Sequence, residues 1–146
     1  MALEVRPAAG ARVIRPLELA SHHSTTAGIA RLPGITHELV GADRLWMGVT
    51  VLEPGAVIEP HHHGNHEAGV YVVAGRFRVR WGERLETEAE LEAGDLVYLP
   101  PLLPHEETNP SPDEPAVVVV VWSGSRVYVP LEAGPDGIYR PTPTNS

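Results

Sequence analysis

The sequence contains no cysteine among its 146 residues. Disulfide bonds, thiolate nucleophiles and thiolate metal ligands are all excluded, so any transition-metal site must be built from imidazole and carboxylate groups. The chain also lacks an apolar run long enough to span a membrane, and its first residues have no apolar segment typical of a signal peptide. We therefore expect a cytoplasmic protein.

Basic residues are few: 11 lysines and arginines against 19 aspartates and glutamates give a formal charge of −8. Nucleic acids and anionic membranes bind to basic surfaces, so neither is expected as a partner. The only dense basic stretch is RFRVRW at residues 76–81, where arginines alternate with apolar residues. This alternation is typical of a strand with a solvated arginine face and an apolar face turned to the core.

The sequence is divided into short apolar runs by 15 prolines and 14 glycines. The runs have the length of strands and contain valine and aromatic residues, which favour a pleated, half-buried surface. They are LWMGVTVL (45–52), VYVVAG (70–75), RFRVRW (76–81), DLVYLP (95–100), AVVVVVW (116–122) and RVYVPL (126–131). Many short strands at fairly even spacing indicate an all-β sandwich or barrel of mostly antiparallel strands.

The length of the chain fits one domain, which we place over residues 1–146. Its core should span about residues 40–131, with an arm or edge strands in residues 1–40 and an irregular tail in residues 132–146. The segment ETEAELEAG at 86–94 has a helix-like pattern, but it lies between two strand-like runs. We therefore predict a hairpin and a short strand there.

Four of the eight histidines fall within one heptapeptide, HHHGNHE at residues 61–67. His61 and His63 are two residues apart, which places both imidazoles on one face of a strand, where they can share an ion. Two spaced patterns include these histidines and a distant one. The first pattern has Gly55, His61, His63, Glu67 and Gly75, and the second has Gly94, Pro100, His105 and Asn109.

These patterns resemble the two signature motifs of the cupin superfamily, G-x5-H-x-H-x3,4-E-x6-G and G-x5-P-x-G-x2-H-x3-N. The sequence reads GAVIEPHHHGNHEAGVYVVAG over the first motif and GDLVYLPPLLPHEETN over the second, and the resemblance covers about residues 45–122. It implies the cupin fold, a double-stranded β-helix or jelly-roll barrel, with a metal ion held inside. Leu102 stands where the second motif has glycine, which affects a turn and not the ligands.

The fourth ligand depends on the direction of the residues after His63. Counting back from Gly75 places Ala68 where the family has glutamate, and strand alternation then turns Glu67 outward and His66 inward. Glu67 reaches the metal only if a bulge shifts the register. We therefore predict a site of four histidines, His61, His63, His66 and His105, with Glu67 in place of His66 as the alternative.

An all-nitrogen set of ligands suits zinc, iron, nickel or copper and disfavours magnesium and calcium. We expect zinc first and iron(II) second. Four neutral imidazoles would leave the 2+ charge of the ion uncompensated, which makes a stronger Lewis acid. The cavity is expected to be apolar apart from the metal, and the candidate lining residues are Trp46, Tyr71, Tyr98 and Trp122.

A narrower resemblance extends over ADRLWMGVTVLEPGAVIEPHHHGNHEAGVYVVAGRFRVRWGERLE and AGDLVYLPPLLPHEETNPSPDEP. These stretches are similar to the cupin-type cyclases of aromatic polyketide pathways, the resistomycin and tetracenomycin class. The similarity implies a zinc-dependent cyclase that folds a hydrophobic poly-β-ketone and promotes aldol ring closure by stabilising an enolate. The sequence does not identify the general base, for which Glu67 and Tyr71 are candidates.

Two other functions stay open on the sequence. Three or four histidines around iron would also serve a dioxygenase that cleaves a diketone or an aromatic ring. The other possible function is that of a cupin that binds a small molecule without catalysis. Sugar epimerisation is less favoured, because it calls for a polar cavity.

Single-domain cupins commonly pair through sheet edges or swapped N-terminal strands, so we expect a homodimer. A carrier protein of a polyketide synthase is a further expected partner.

Overall fold

A computed structural model describes residues 10–143, which form two short helices and twelve strands. The helices are α1 (Pro16–Ser21) and α2 (His37–Val40). The strands are β1 (Ser24–Thr26), β2 (Ile29–Ile35), β3 (Leu45–Leu52), β4 (Val57–His62), β5 (Ala68–Ala74), β6 (Arg76–Trp81), β7 (Thr87–Glu92), β8 (Leu96–Leu99), β9 (His105–Thr108), β10 (Ala116–Ser123), β11 (Val129–Ala133) and β12 (Tyr139–Pro141). Within residues 10–143, neither helix has the length or apolar character needed to cross a membrane.

The strands form two six-stranded sheets. The first sheet has the order β1-β2-β3-β10-β5-β8, and the second has the order β12-β11-β4-β9-β6-β7. Adjacent strands pair in the antiparallel direction, including pairs that are far apart in sequence, such as β3 with β10 and β4 with β9. The all-β sandwich of mostly antiparallel strands that the sequence predicts is confirmed.

Strand β10 shows most directly how the sequence produces the core. Its run of valines is β-branched, and alternate residues such as Val118 and Val120 are buried between the sheets while Val119 is turned to the outside. The strand pairs with β3 on one side and with β5 on the other, so its backbone groups are bonded along both edges. Phe77 and Leu52, from opposite sheets, are fully buried in the same core.

Strand β6 also follows its alternating sequence. Phe77 and Val79 are fully buried, as predicted for residues 76–81. The arginines on the opposite face are not simply solvated, because each contacts a glutamate of a neighbouring strand. These pairs are Arg76–Glu90 at 2.5 Å, Arg78–Glu88 at 3.4 Å and Arg80–Glu106 at 2.7 Å. The outer face of the second sheet is therefore a surface of ion pairs.

The segment 86–94 forms β7, which pairs with β6 as the predicted hairpin. The C-terminal region differs from the predicted irregular tail, because β11 continues to Ala133 and pairs with β12. Asp136 stabilises the turn between them: its carboxylate accepts the Ile138 N–H and lies 2.8 Å from the Arg140 guanidinium. The sequence PDG at residues 135–137 is a turn signal that accounts for this hairpin.

Three positions of the spaced patterns have structural roles. Gly75 joins β5 to β6 at a φ of +80°, and a Cβ there would overlap the Pro115 carbonyl oxygen. The Asn109 side chain is buried, with Nδ2 2.8 Å from the Glu114 carbonyl oxygen and Oδ1 accepting the Ser111 N–H. Leu102 has a φ of 63°, the left-handed conformation in which glycine is favoured. Leucine at this position, where the family motif has glycine, therefore strains the turn.

Candidate metal centre

Two neighbouring strands of the second sheet, β4 and β9, carry the histidines of the site. His61 lies directly opposite His105 in the pairing of these strands. The register of β4 shifts between Ile58 and His61, and consequently two consecutive residues, Pro60 and His61, are both buried. This irregularity turns His61 toward the core, and His63 follows on the same side two residues later.

Four side chains meet between the two sheets. They are His61, His63, His105 and Glu107, whose ligand atoms all lie within 4.8 Å of one another. All four are buried, with at most 7% of any residue exposed. The carboxylate oxygen Oε1 of Glu107 is 3.0 Å from Nε2 of His105 and 3.8 Å from Nε2 of His61.

The main chain sets the tautomer of each imidazole in the cluster. The Nδ1–H of His61 donates to Glu59 at 2.6 Å, that of His63 to Val127 at 2.8 Å and that of His105 to Leu103 at 2.9 Å, in each case to the carbonyl oxygen. Because a carbonyl oxygen can only accept, the proton of a neutral ring is on Nδ1 and the lone pair is on Nε2. Metal-binding histidines in proteins are oriented in the same way.

The pKa values follow from burial and from Glu107. Burial, the largest effect, lowers the pKa of His61 to about 3 and that of His63 to about 4, so both rings are neutral at neutral pH. Burial also lowers the pKa of His105, but the adjacent Glu107 carboxylate outweighs it and the pKa is raised. Burial raises the pKa of Glu107, but His105 outweighs burial and the pKa is lowered. The carboxylate is thus ionised, and either a proton on His105 or a metal cation can balance its charge.

These groups fit a divalent transition metal. The Nε2 atom of His105 is buried and makes no hydrogen bond of acceptable geometry to any of residues 10–143, although Glu107 is close. Three imidazole nitrogens and one carboxylate oxygen suit zinc, iron(II) and similar ions, and they are a poor set for calcium or magnesium, which prefer oxygen ligands. The cluster could therefore hold such an ion with His105 Nε2 as one of its ligands.

The structure differs from the sequence prediction at the fourth position of the site. His66 lies outside the cluster: its ring is next to Gly124, and its Nδ1–H donates to the Ser123 carbonyl oxygen. Glu67, the alternative, is exposed and accepts a hydrogen bond from the Tyr98 hydroxyl at 2.6 Å. The physical reason is that residues 63–67 form a turn and not an extended strand, so strand alternation does not continue back from Ala68 to His66. Metal binding by any of these side chains stays a prediction.

Glu107 was missed by the sequence reasoning, although a signal for it was present. It follows His105 by two residues in β9, so strand alternation turns both side chains to the same side. The same rule had placed His61 and His63 together. The family motif has its glutamate after His63, whereas the carboxylate of this cluster comes from β9.

The pocket around the cluster is mixed in character, whereas the sequence predicted apolar walls. Its apolar lining residues are Ile58, Ala68, Val70, Leu99, Val120 and Trp122, and its other lining residues outside the cluster are Arg31, Thr50, Arg126 and Tyr128. The Tyr128 ring stacks on that of His61, with centroids 4.5 Å apart. The pocket has about 390 Å³ of empty space, including its open mouth.

Of the four aromatic residues proposed as lining, Trp122 is the one that borders this pocket. Trp46 packs edge-on against Trp122, with ring centroids 4.4 Å apart. Tyr71 and Tyr98 are exposed on the outer face of the first sheet. Neither Glu67 nor Tyr71, the candidate bases, lies among the residues that line the pocket within the part of the chain that the structure describes.

Comparison with known proteins identifies the family. Residues 48–122, just over half of the chain, match the cupin domain. No curated protein matches the sequence. The cupin resemblance of the two motifs is therefore confirmed, while the narrower similarity to polyketide cyclases stays a prediction.

Solved structures with the same fold agree with this assignment. KdgF from Halomonas sp. is 27% identical with a TM-score of 0.60, and the match covers 70% of this chain and 84% of KdgF. Oxalate decarboxylase from Bacillus subtilis is 25% identical with a TM-score of 0.62, over 71% of this chain but only 27% of the decarboxylase. An RmlC-like cupin from Shewanella frigidimarina, 24% identical with a TM-score of 0.57, matches over 70% of this chain and 82% of its own length and shows the shared fold. The chain belongs to the cupin domain family.

Proposed function

We propose that the protein is an enzyme that holds one divalent transition metal between His61, His63, His105 and Glu107 and acts on a substrate carbonyl group. The observation that carries this proposal is the meeting of four buried ligand atoms within 4.8 Å. A bound divalent cation supplies Lewis acidity, which polarises a carbonyl group and favours the loss of a proton from the adjacent carbon.

The residues around the cluster would fix geometry and exclude water. Three main-chain carbonyls orient the imidazole rings, and the apolar wall formed by residues such as Val70 and Leu99 keeps water from the reacting group. Glu107 reduces the net charge of a site with a divalent ion from 2+ to 1+, whereas four neutral imidazoles would leave it at 2+. The mixed nitrogen and oxygen ligands support zinc as the first choice of metal and iron(II) as the second.

We further propose that the substrate is a poly-β-ketone and that the reaction is an aldol ring closure followed by loss of water. The similarity of about residues 45–122 to cyclases of aromatic polyketide pathways supports this substrate. The methylene protons between two carbonyls are acidic, so a metal that polarises one carbonyl is suited to start the closure. Trp122 and Val120 offer an apolar wall for the chain beside the cluster.

The first test combines elemental analysis with turnover, on protein purified without a histidine tag. We expect about one zinc per chain and conversion of a synthetic tetra-β-ketone into a ring product that has lost water, measured by mass spectrometry. His105→Ala should abolish both with an unchanged circular dichroism spectrum. His62→Ala is the matched control, because His62 lies outside the cluster and its Nδ1 accepts the Gly64 N–H. Protein that binds no transition metal would contradict the proposal.

An iron-dependent dioxygenase is the second candidate, and the carboxylate of Glu107 in the ligand set favours it. A site of imidazoles and one carboxylate with open positions is the kind that non-haem iron(II) enzymes use with O₂. Oxygen uptake with a diketone substrate, measured for the zinc-loaded and the iron-loaded protein, separates the two functions. Uptake in proportion to substrate in the iron form alone supports the dioxygenase, and turnover in the zinc form without uptake excludes it.

A further inference from the structure

Two arginines from distant parts of the chain line the same pocket as the cluster: Arg31 in β2 and Arg126 between β10 and β11. The Arg126 guanidinium lies 5.7 Å from the centroid of the Trp122 ring, within the range of a cation–π contact. Arg31 is partly buried. Two positive charges therefore lie along the lining of the pocket that contains the cluster.

The pocket has more positive than negative charge. Glu107 is its only acidic lining residue, and among residues 10–143 neither Arg31 nor Arg126 forms an ion pair with a carboxylate. Arginines on the outer surface such as Arg76 and Arg80, by contrast, each contact a glutamate. Both guanidinium groups line the same pocket, and the pKa of Arg126 is lowered first by partial burial and then by the charge of Arg31. A divalent metal would add to this excess, and an anion would reduce it.

We propose that Arg31 and Arg126 bind a carboxylate of the substrate, beside the carbonyl group on which the metal acts. The position of that carbonyl rests on the proposed function, whereas the arginine pair does not depend on the metal. A guanidinium group binds a carboxylate through two parallel hydrogen bonds, which also fixes its orientation. The substrate class is then a diketo acid, which is a β-dicarbonyl compound that also has a carboxylate, and it includes a poly-β-ketone that has been released from its thioester as the free acid.

Acetopyruvate and acetylacetone are a matched pair of probes for this subsite. Both are β-dicarbonyls that chelate metals, and only acetopyruvate has a carboxylate. Calorimetric titration of the zinc-loaded protein should show at least about tenfold tighter binding of acetopyruvate. Arg31→Gln and Arg126→Gln should each weaken acetopyruvate binding about tenfold and leave acetylacetone binding and zinc content unchanged. Arg44→Gln, at a site that is 94% exposed and outside the pocket lining, should change neither.

The outcomes separate this inference from the proposed function. Equal affinity of the wild-type protein for both probes, or acetopyruvate binding that is independent of Arg31 and Arg126, overturns the subsite even if zinc is bound. Arginine-dependent binding of acetopyruvate to protein stripped of metal on a chelating resin supports the subsite even if the metal proposal fails. Inorganic phosphate that binds more tightly than acetopyruvate overturns the assignment of a carboxylate.

Discussion

His105 and Glu107 extend from the same side of β9, with Nε2 of the first 3.0 Å from Oε1 of the second. A lone pair and a negative charge are thereby directed into the same buried space, while the Nδ1–H of His105 is already bonded to the Leu103 carbonyl oxygen. A cation that enters this space can bind both side chains, which are two residues apart in the same strand. The pair thus forms the half of the proposed metal site that β9 contributes.

Zinc should stabilise the wild-type protein and not the His105→Ala variant. A ligand present at a hundred times its dissociation constant adds about 2.7 kcal/mol to the free energy of unfolding. For a chain of this length the melting temperature should rise by roughly 5–10 °C. Thermal melts with zinc and with excess chelator measure the effect. A zinc-dependent rise that persists in His105→Ala would contradict the cluster as the binding site.

Glu107→Gln should weaken zinc binding by at least about tenfold, because the amide lacks the negative charge that the carboxylate offers the cation. Glu67→Gln is the matched control, since Glu67 is exposed and contacts the Tyr98 hydroxyl. Competition with a fluorescent zinc chelator gives both affinities. If Glu67→Gln had the larger effect, the carboxylate ligand would be Glu67, the alternative that the sequence left open.

His66→Ala should leave the zinc affinity unchanged, because the His66 ring contacts Ser123 and Gly124 instead of the cluster. The same competition measurement applies, with His63→Ala as the variant that should lose zinc. A large loss in His66→Ala would restore the site of four histidines and would require residues 63–67 to rearrange when the metal binds.

The sequence predicted those features that depend on neighbouring residues. Alternation of apolar residues predicted β3 and β6 with their buried faces, and the spacing of His61 and His63 predicted that both turn inward. These predictions succeed because the direction of a side chain in a strand is set by the backbone over two or three residues. The prediction for His105 came from the resemblance to the second motif, and its ring lies in the same cluster as those of His61 and His63.

Features that depend on distant contacts were not predicted. Alternation fails through the turn at residues 63–67, so the His66 ring lies outside the cluster in which it was predicted. Arg31 and Arg126 reach the pocket only because the two sheets bring β2 and the segment before β11 together, and neither local sequence specifies that meeting. The predicted apolar cavity was wrong because these two arginines, together with Thr50 and Tyr128, complete the lining of the pocket.

Asn109→Ala should destabilise the protein by about 2–4 kcal/mol, because it leaves buried main-chain groups without partners. The Asn109 side chain bonds the Leu52 and Glu114 carbonyl oxygens and the Ser111 N–H. Asn109→Asp retains the acceptor but loses the donor, so it should also be destabilising. Urea denaturation of the metal-free protein measures both variants, and a change below about 1 kcal/mol in both would contradict this role.

Leu102→Gly should stabilise the protein by about 0.5–1 kcal/mol, because a leucine at a φ of 63° is strained and glycine is not. The Leu102 N–H, which donates to the Gly64 carbonyl oxygen at 2.8 Å, is retained in the variant. Leu17→Gly in α1 is the control, and it should destabilise by about 1 kcal/mol as glycine does within a helix. Equal losses of stability in the two variants would show that the turn is not strained.

The three imidazole rings of the cluster are oriented by the carbonyl oxygens of Glu59, Leu103 and Val127, which belong to the main chain. Every amino acid has such a carbonyl, so substitutions at these three positions keep the hydrogen-bond acceptors as long as the backbone keeps its course. Evolution could therefore change the side chains around the pocket, and with them the choice of substrate, without loosening the histidines. Substitutions at Glu59, Leu103 and Val127 should therefore be tolerated by the centre, whereas substitutions of the ligand residues should not.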